Sequence, residues 1–428
     1  VDAAARSGLA REAFEAAEQN RARGLVEQRP EKTGWRLQLP PEYWRRAAEL
    51  QAAEAALVAG GGESARREIR RLREQLLLAE AAADPGQGRE PPLDPRAALD
   101  ARTTLVSFHL GETRSYAWAM TRSSLRMEIL PPRATIVAAA RAFRESVEYG
   151  RPGADPLGAA LYQMLFGALN PTGERWLLSL DEGLYEVPWV ALHDGRAYLV
   201  ESRTVQVVSG ARHLGGERSP ALQGPFVGVA DAIYNRADPR STGPAPAISL
   251  PRLPGSRREI QDCARLWKRD AILLEGVEAR KERVRAVLDA RPAVIHFATH
   301  VVRAPAPPSS ALVALSGGEF LSPAEIRAWS AAGAVIVLSG CGSGAADTLP
   351  GAGLMGLTRA WLMAGARAVV ASHWSTPDDS GALFLRFYEH LQAGSTGDPA
   401  GALRQAQRDL IASAGWRAQP RHWAAYFI

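Results

Sequence analysis

The chain has 428 residues, room for two or three domains, and its 46% hydrophobic and 23% charged content is that of a globular protein with an ample core. Its two cysteines exclude a disulfide framework and point to a reducing cytoplasm, and no apolar run approaches the ~18 residues of a membrane span. The net charge of +5 comes almost entirely from scattered arginines, not from a basic stripe interleaved with aromatics, which argues against direct nucleic-acid binding.

No signal peptide opens the chain, and Val1 and an Ile428 set in an apolar segment suggest a piece of a longer protein. Residues 1 to about 90 read as helical. Ala3, Ala4, Ala5, Ala13, Ala16 and Ala17 put small residues at helix-packing spacing, as where a helical repeat array ends. A helix from Pro41 to Val58 and another from Glu63 to Ala82 flank the Gly60–Gly62 break. The second carries Arg66, Arg67 and Arg73 beside Glu68 and Glu74, a solvated face. Asp84 to Pro95 reads as a linker.

From Thr103 the pattern becomes strand-like. Thr104–His109, Tyr116–Met120 and Leu125–Ile129 form a meander. Helices over Ala134–Val147 and Pro156–Leu169 precede strands Arg175–Leu180 and Val205–Val208. A third block opens with strand Phe226–Ala230. Ser256 and Glu259 suit a capping box for a helix reaching Trp267. Strand Ala271–Leu274, helix Ala279–Leu288 and strand Val294–Ala298 follow. After the proline-rich loop Ala304–Ser309 come strand Ala311–Leu315, helix Ser322–Ala331 and strand Val335–Leu338. The rest reads as helix Gly353–Ala364, strand Ala368–Ala371, helices Asp378–Leu391 and Pro399–Ala414, and an apolar stretch Ala425–Ile428. Such alternation predicts an α/β fold, a mostly parallel sheet flanked by helices, with functional groups beyond the carboxyl ends of its strands.

Two of those ends carry chemistry. Strand Val335–Leu338 runs into Ser339-Gly-Cys-Gly-Ser-Gly344, and Val294–Ala298 runs through Thr299 to His300. A thiol with a nearby imidazole is a nucleophile with its base, and Gly340, Gly342 and Gly344 let backbone approach a substrate carbonyl. A lone cysteine is more often a buried structural thiol; the glycine turn and the matching histidine favour the catalytic reading of Cys341. Cys263, at helical spacing among apolar residues, reads as core. His296 lies inside its strand and is assigned to packing, whereas His373 stands near a strand end as a rim residue. Asp378 and Asp379 stand where a helix opens, and serve either as an N-terminal cap or as carboxylates that receive an Arg or Lys side chain. No metal-ligand spacing, Walker loop or dinucleotide fingerprint is present, so no metal or cofactor is expected.

Taken in order, Phe297–His300, Val337–Cys341, Gly353–Ala360, Ala364–Ser372, Trp374–Asp379, Ala402–Gln407 and Trp423–Ala425 resemble a CHAT domain, the caspase-like peptidase domain usually attached to tetratricopeptide repeats. Leu184–Leu192 and Leu253–Glu259 look like the same domain, and Ala13–Glu18 with Arg21–Leu25 looks like its last repeat helix. The resemblance implies a caspase-type fold with a dyad of His300 and Cys341. It implies a helical segment over 1–95, a catalytically empty caspase-like half over 96–220 and an active half over 221–428. Gly340–Gly344 is similar to the nucleophile turn of separases, whose acidic specificity residue matches Asp378. Backbone N–H groups of Val301 and Cys341 are the expected oxyanion donors. Gly340, Trp374, Asp378 and Asp379 are the expected substrate contacts. The family's usual glycine after the histidine is Val301 here, and its usual Cys-Glu-Thr is Cys341-Gly-Ser343.

These features predict a cytoplasmic cysteine endopeptidase, a regulated bacterial effector cleaving a protein partner after Arg or Lys. An activating or recruiting protein would act through N-terminal repeats mostly absent from this chain, with no membrane involved. The alternative is a catalytically silent scaffold for protein–protein interaction. An acyl or lipid hydrolase lacks its Gly-x-Ser-x-Gly elbow here.

Overall fold

The computed structural model describes residues 9–26, scattered helical residues between 40 and 79, and then 95–211, 214, 222–241, 250–303, 311–340, 356–378, 381–394 and 397–428. Two compact units emerge, Val1–Ala22 with Pro95–Ile428, and Arg23–Asp94. In the smaller unit the described residues other than Pro40 are helical, and Glu42 pairs with Arg45 and Arg46. Ala3–Ala5, the Gly60–Gly62 break and the far ends of the two expected helices lie outside the described residues.

The larger unit takes in helix α1 (Ala10–Val26) as far as Ala22. Its Ala13, Phe14 and Ala17 are buried, and Phe14 packs edge-on against Trp118. Between them Glu18 is fully buried. One carboxylate oxygen accepts from the Ser107 and Ser179 hydroxyls at 2.6 and 2.9 Å, and the other from the Ala211 N–H at 2.6 Å. This first part of α1 therefore belongs with the sheets and not with residues 23–94.

The first sheet contains β1 (Thr103–His109), β2 (Ser115–Met120), β3 (Leu125–Leu130), β4 (Arg175–Ser179) and β5 (Thr204–Val208), in the order β3-β2-β1-β4-β5. The hairpins are antiparallel, and β1, β4 and β5 are parallel. The chain continues through β6 (Phe226–Ala230), β7 (Ala271–Glu275), β8 (Val294–Ala298), β9 (Val301–Arg303), β10 (Ala311–Ala314), β11 (Phe320–Leu321), β12 (Val335–Leu338), β13 (Ala368–Ser372) and β14 (Tyr426–Phe427). The second sheet has the order β14-β13-β12-β8-β6-β7, parallel except for its β14 edge. β6, β8, β12 and β13 are buried along their whole length, as central parallel strands covered by helices on both faces must be. Strands β9 to β11 form a separate small antiparallel sheet just after His300.

The two large sheets meet edge to edge, where the Val207 N–H donates to the Ile428 carbonyl at 2.7 Å. One hydrophobic core runs through both, from Phe108 and Trp176 to Tyr388 and Trp423. Helix α2 (Pro254–Leu266) and helix α3 (Ala382–Ala393) cover the second sheet on that side. α3 does so with a stripe of Leu383, Phe384, Phe387, Tyr388 and Leu391.

The two helix starts differ from expectation. α2 begins at Pro254, with Ser256 and Glu259 inside it and no local side-chain cap. Proline at the first turn pre-sets φ, and the N–H of the next residue, Gly255, is satisfied by Asp378 from across the chain at 2.7 Å. α3 begins at Ala382, after a left-handed Gly381, so Asp378 does not cap its own helix. The expected helix at Ser322 does carry its Ser322–Glu325 capping box but ends at Arg327. Among the described residues no helix is long and apolar enough to cross a membrane.

Candidate active site

β8 and β12 are parallel neighbours, and each partner pair, such as Val294 with Val335 or Phe297 with Leu338, is 41 positions apart. The Ser339 N–H still reaches the Phe297 carbonyl at 3.1 Å, so the register carries beyond the strand. His300 and Cys341 have the same offset. Cys341 itself, with Gly342, Ser343 and Gly344, lies outside the described residues, as does Asp379.

The residue before the thiol is described. Gly340 stands so close to the Thr299 carbonyl that a β-carbon there would collide with it, and would crowd the Val301 side chain as well. The Gly340 carbonyl accepts from the Ser372 hydroxyl at 2.8 Å, which ties the turn to the end of β13. Gly340 is thus pressed between the chain neighbours of His300, and glycine is required by that close approach.

His300 is held on two sides. Its Nε2 lies 2.8 Å from the Pro251 carbonyl, and its ring sits edge-on to Tyr234, with centroids 4.9 Å apart. A carbonyl only accepts, so Nε2 carries the proton and the lone pair of the neutral ring is on Nδ1. Tyr234 is 3% exposed, and burial raises its pKa, keeping the phenol neutral. The Ala314 N–H donates to the His300 carbonyl at 2.8 Å, which makes that the hydrogen-bonded pair of the antiparallel ladder. Val301, opposite Val313, is then in the alternate position, with its N–H turned away from β10.

A cleft of ≈ 90 Å³ lies at these strand ends, lined by Thr299, Ser339, Gly340, Glu259, Asp378 and Arg417 among others. Asp378 therefore faces the cleft while one of its oxygens serves the start of α2. Trp374 does not line it. That indole is 4% exposed and donates to the Arg421 carbonyl at 3.0 Å. His373 is not a rim residue either. It is buried, stacked on Phe427 with centroids 4.4 Å apart, and burial lowers its pKa to about 3, Arg144 adding to the effect. Cys263 is buried, and burial raises its thiol pKa well above the ordinary value, which makes it inert.

His296 does more than pack. Fully buried in β8, it places Nε2 2.8 Å from Glu259 on the cleft floor, off the best hydrogen-bond direction, and Nδ1 3.1 Å from the Tyr388 hydroxyl. Glu259 was expected to serve a capping box. Pro254 moves the helix start upstream and leaves that carboxylate for the cleft. The Pro251 contact had no signal in the sequence, because the acceptor is a backbone carbonyl available from any residue. Among the described residues no group of three or more His, Cys, Asp and Glu side chains is placed to hold a metal.

Residues 155–428 match the family model of the CHAT domain. No curated protein matches the sequence. Among solved structures, the Saccharomyces cerevisiae separase–securin complex aligns with a TM-score of 0.50 and 11% identity, covering 84% of this chain and 32% of that one. This chain thus spans about a third of the separase chain it matches. The Arg-specific cysteine proteinase gingipain R aligns with a TM-score of 0.39 and 10% identity, over 67% of this chain and 72% of that one. The complex of Porphyromonas gingivalis RgpB pro- and mature domains has the same TM-score and identity, over 70% and 76%.

Proposed function

Because the chain belongs to the CHAT family and has the fold of the caspase-like cysteine peptidases, we propose that it is a cysteine endopeptidase with Cys341 as nucleophile and His300 as its base. The observation that carries this reading is the shared register. The offset that pairs β8 with β12 also separates His300 from Cys341, and Gly340 already touches the neighbours of His300.

In the proposed reaction, His300 Nδ1 takes the Sγ proton and the thiolate attacks the peptide carbonyl carbon. The oxyanion is met by the backbone N–H groups of Val301 and Cys341. The C–N bond breaks as His300 returns the proton to the leaving amine, giving a thioester acyl-enzyme. Water, deprotonated by His300, then releases the acid and restores the thiol. The Pro251 carbonyl holds Nε2–H as its donor throughout and so keeps the ring oriented with Nδ1 free for the thiol proton. Asp378 and Glu259 put carboxylates in the cleft, which supports cleavage after Arg or Lys. The silent-scaffold alternative has no use for so constrained a histidine. Regulation by a partner acting through the N-terminal helices is supported by α1, which is anchored to the first sheet by Glu18.

Covalent labelling tests the dyad. An Arg- or Lys-based acyloxymethyl ketone is expected to modify Cys341 in the wild type, and His300→Ala should slow that labelling by at least ~100-fold. Modification confined to other residues, or unchanged in rate by His300→Ala, would remove the dyad.

A further inference from the structure

Asp231, the residue after β6, combines three unusual properties. It is fully buried, its backbone is left-handed with φ 48°, and it takes two arginines at once. Arg252 approaches it side-on, with Nε and Nη2 at 2.8 and 3.0 Å, and Arg240 does so with Nη1 and Nη2 at 2.7 and 3.2 Å. A buried carboxylate in strained backbone persists where the surroundings over-determine it, and such places cluster at functional sites. Burial works against ionisation here, but the hydrogen bonds from Arg252 and Arg240 outweigh it and hold the carboxyl below its ordinary pKa.

What the pair pins down is the segment Leu250–Leu253. The Leu250 carbonyl accepts from Asn235 Nδ2 at 2.6 Å, and the Leu253 carbonyl accepts from the Ser256 hydroxyl at 2.6 Å. That hydroxyl in turn accepts from the Asp231 N–H at 3.1 Å. Between these anchors the Pro251 carbonyl points at His300, and the adjacent Arg252 side chain runs back to Asp231. The same turn that begins with Asp231 supplies Tyr234, the wall of the His300 ring. Arg240 makes its second pair with Asp238, so it braces the turn without touching the segment that meets His300.

We infer that Asp231 is a positioning residue for His300: by holding Arg252 it fixes the Pro251 carbonyl on Nε2 and so keeps the imidazole in the tautomer with Nδ1 unprotonated. This rests on the dyad reading for its catalytic consequence but not for its structural one. The turn and the segment approach from different parts of the chain, and the Asp231–Arg252 pair joins them.

The test reads the ring itself. The full chain is labelled with 15N-histidine, and the His300 signal among the eight histidines is assigned with His300→Gln. Wild type should show a single tautomer with the proton on Nε2. Asp231→Asn should give a mixed tautomer for His300. On peptide substrate its kcat should fall roughly 10- to 100-fold with KM little changed. Arg240→Ala should leave the tautomer of His300 as in wild type, because the Arg252 pair and the Pro251 contact remain. If Asp231→Asn does not fold, Arg252→Gln carries the same expectation. An unaltered tautomer in the Asp231 or Arg252 variant overturns the inference. So does an Arg240→Ala variant that disturbs His300 equally, because the cluster would then act only on stability. A locked ring in a chain with no peptidase activity would instead overturn the dyad reading and leave the positioning role standing.

Discussion

Gly340 and His373 stand two and one residues beyond a strand end, and their surroundings give them opposite roles. Gly340 is pressed against the Thr299 carbonyl, so Gly340→Ala should cost about 2 kcal/mol of stability and also displace the turn that carries Cys341. Denaturant unfolding with a parallel rate assay checks this, and a variant of wild-type stability and rate would refute the close approach. His373 titrates near pH 3 in the folded chain against 6.5 in an ordinary setting. The unfolded chain thus binds more protons between those values. Stability is complete above pH 6.5 and is lost as pH falls toward 3. His373→Phe, which keeps the stack on Phe427, should flatten the loss of stability between pH 6.5 and 4, and identical slopes would acquit the histidine. The placement of His300 and Gly340 just beyond strand ends was legible in the sequence because each follows a continuous apolar run. The burial of His373 and Trp374 was not, because it depends on β14, a two-residue edge strand at the end of the chain.

At the scale of elements, the strands were the most readable part. Val294–Ala298 and Val335–Leu338 were recognised at their observed bounds because a central parallel strand is a continuous apolar run. Helix starts were less readable. α2 takes its cap from Asp378, more than a hundred residues away, and no local window contains that partner. The same holds for α1, whose place beside the first sheet depends on Glu18 meeting Ser107, Ser179 and the Ala211 N–H. In isolation Glu18 looks like any solvated helix acid. Glu18→Ala removes the shared acceptor and should destabilise the chain by about 3 kcal/mol, with Glu18→Gln milder. Thermal unfolding separates the two, and a neutral Glu18→Ala would mean that α1 is held by Phe14 and its apolar neighbours alone.

Across the whole molecule, two sheets share one core and meet at Val207 and Ile428, so that the candidate site is supported from both. The first sheet has no counterpart of the His300 cleft in the sequence, since both cysteines lie beyond residue 220. It carries α1 through Ser107 and Ser179 and joins the second sheet at the β14 edge, beside β13 and Ser372. The central claim, that this architecture serves a Cys341-dependent peptidase, is tested most directly by cleavage of a peptide library by wild type and Cys341→Ala side by side. The account predicts cleavage after Arg or Lys by wild type and none by the variant. Equal cleavage by the two would contradict it.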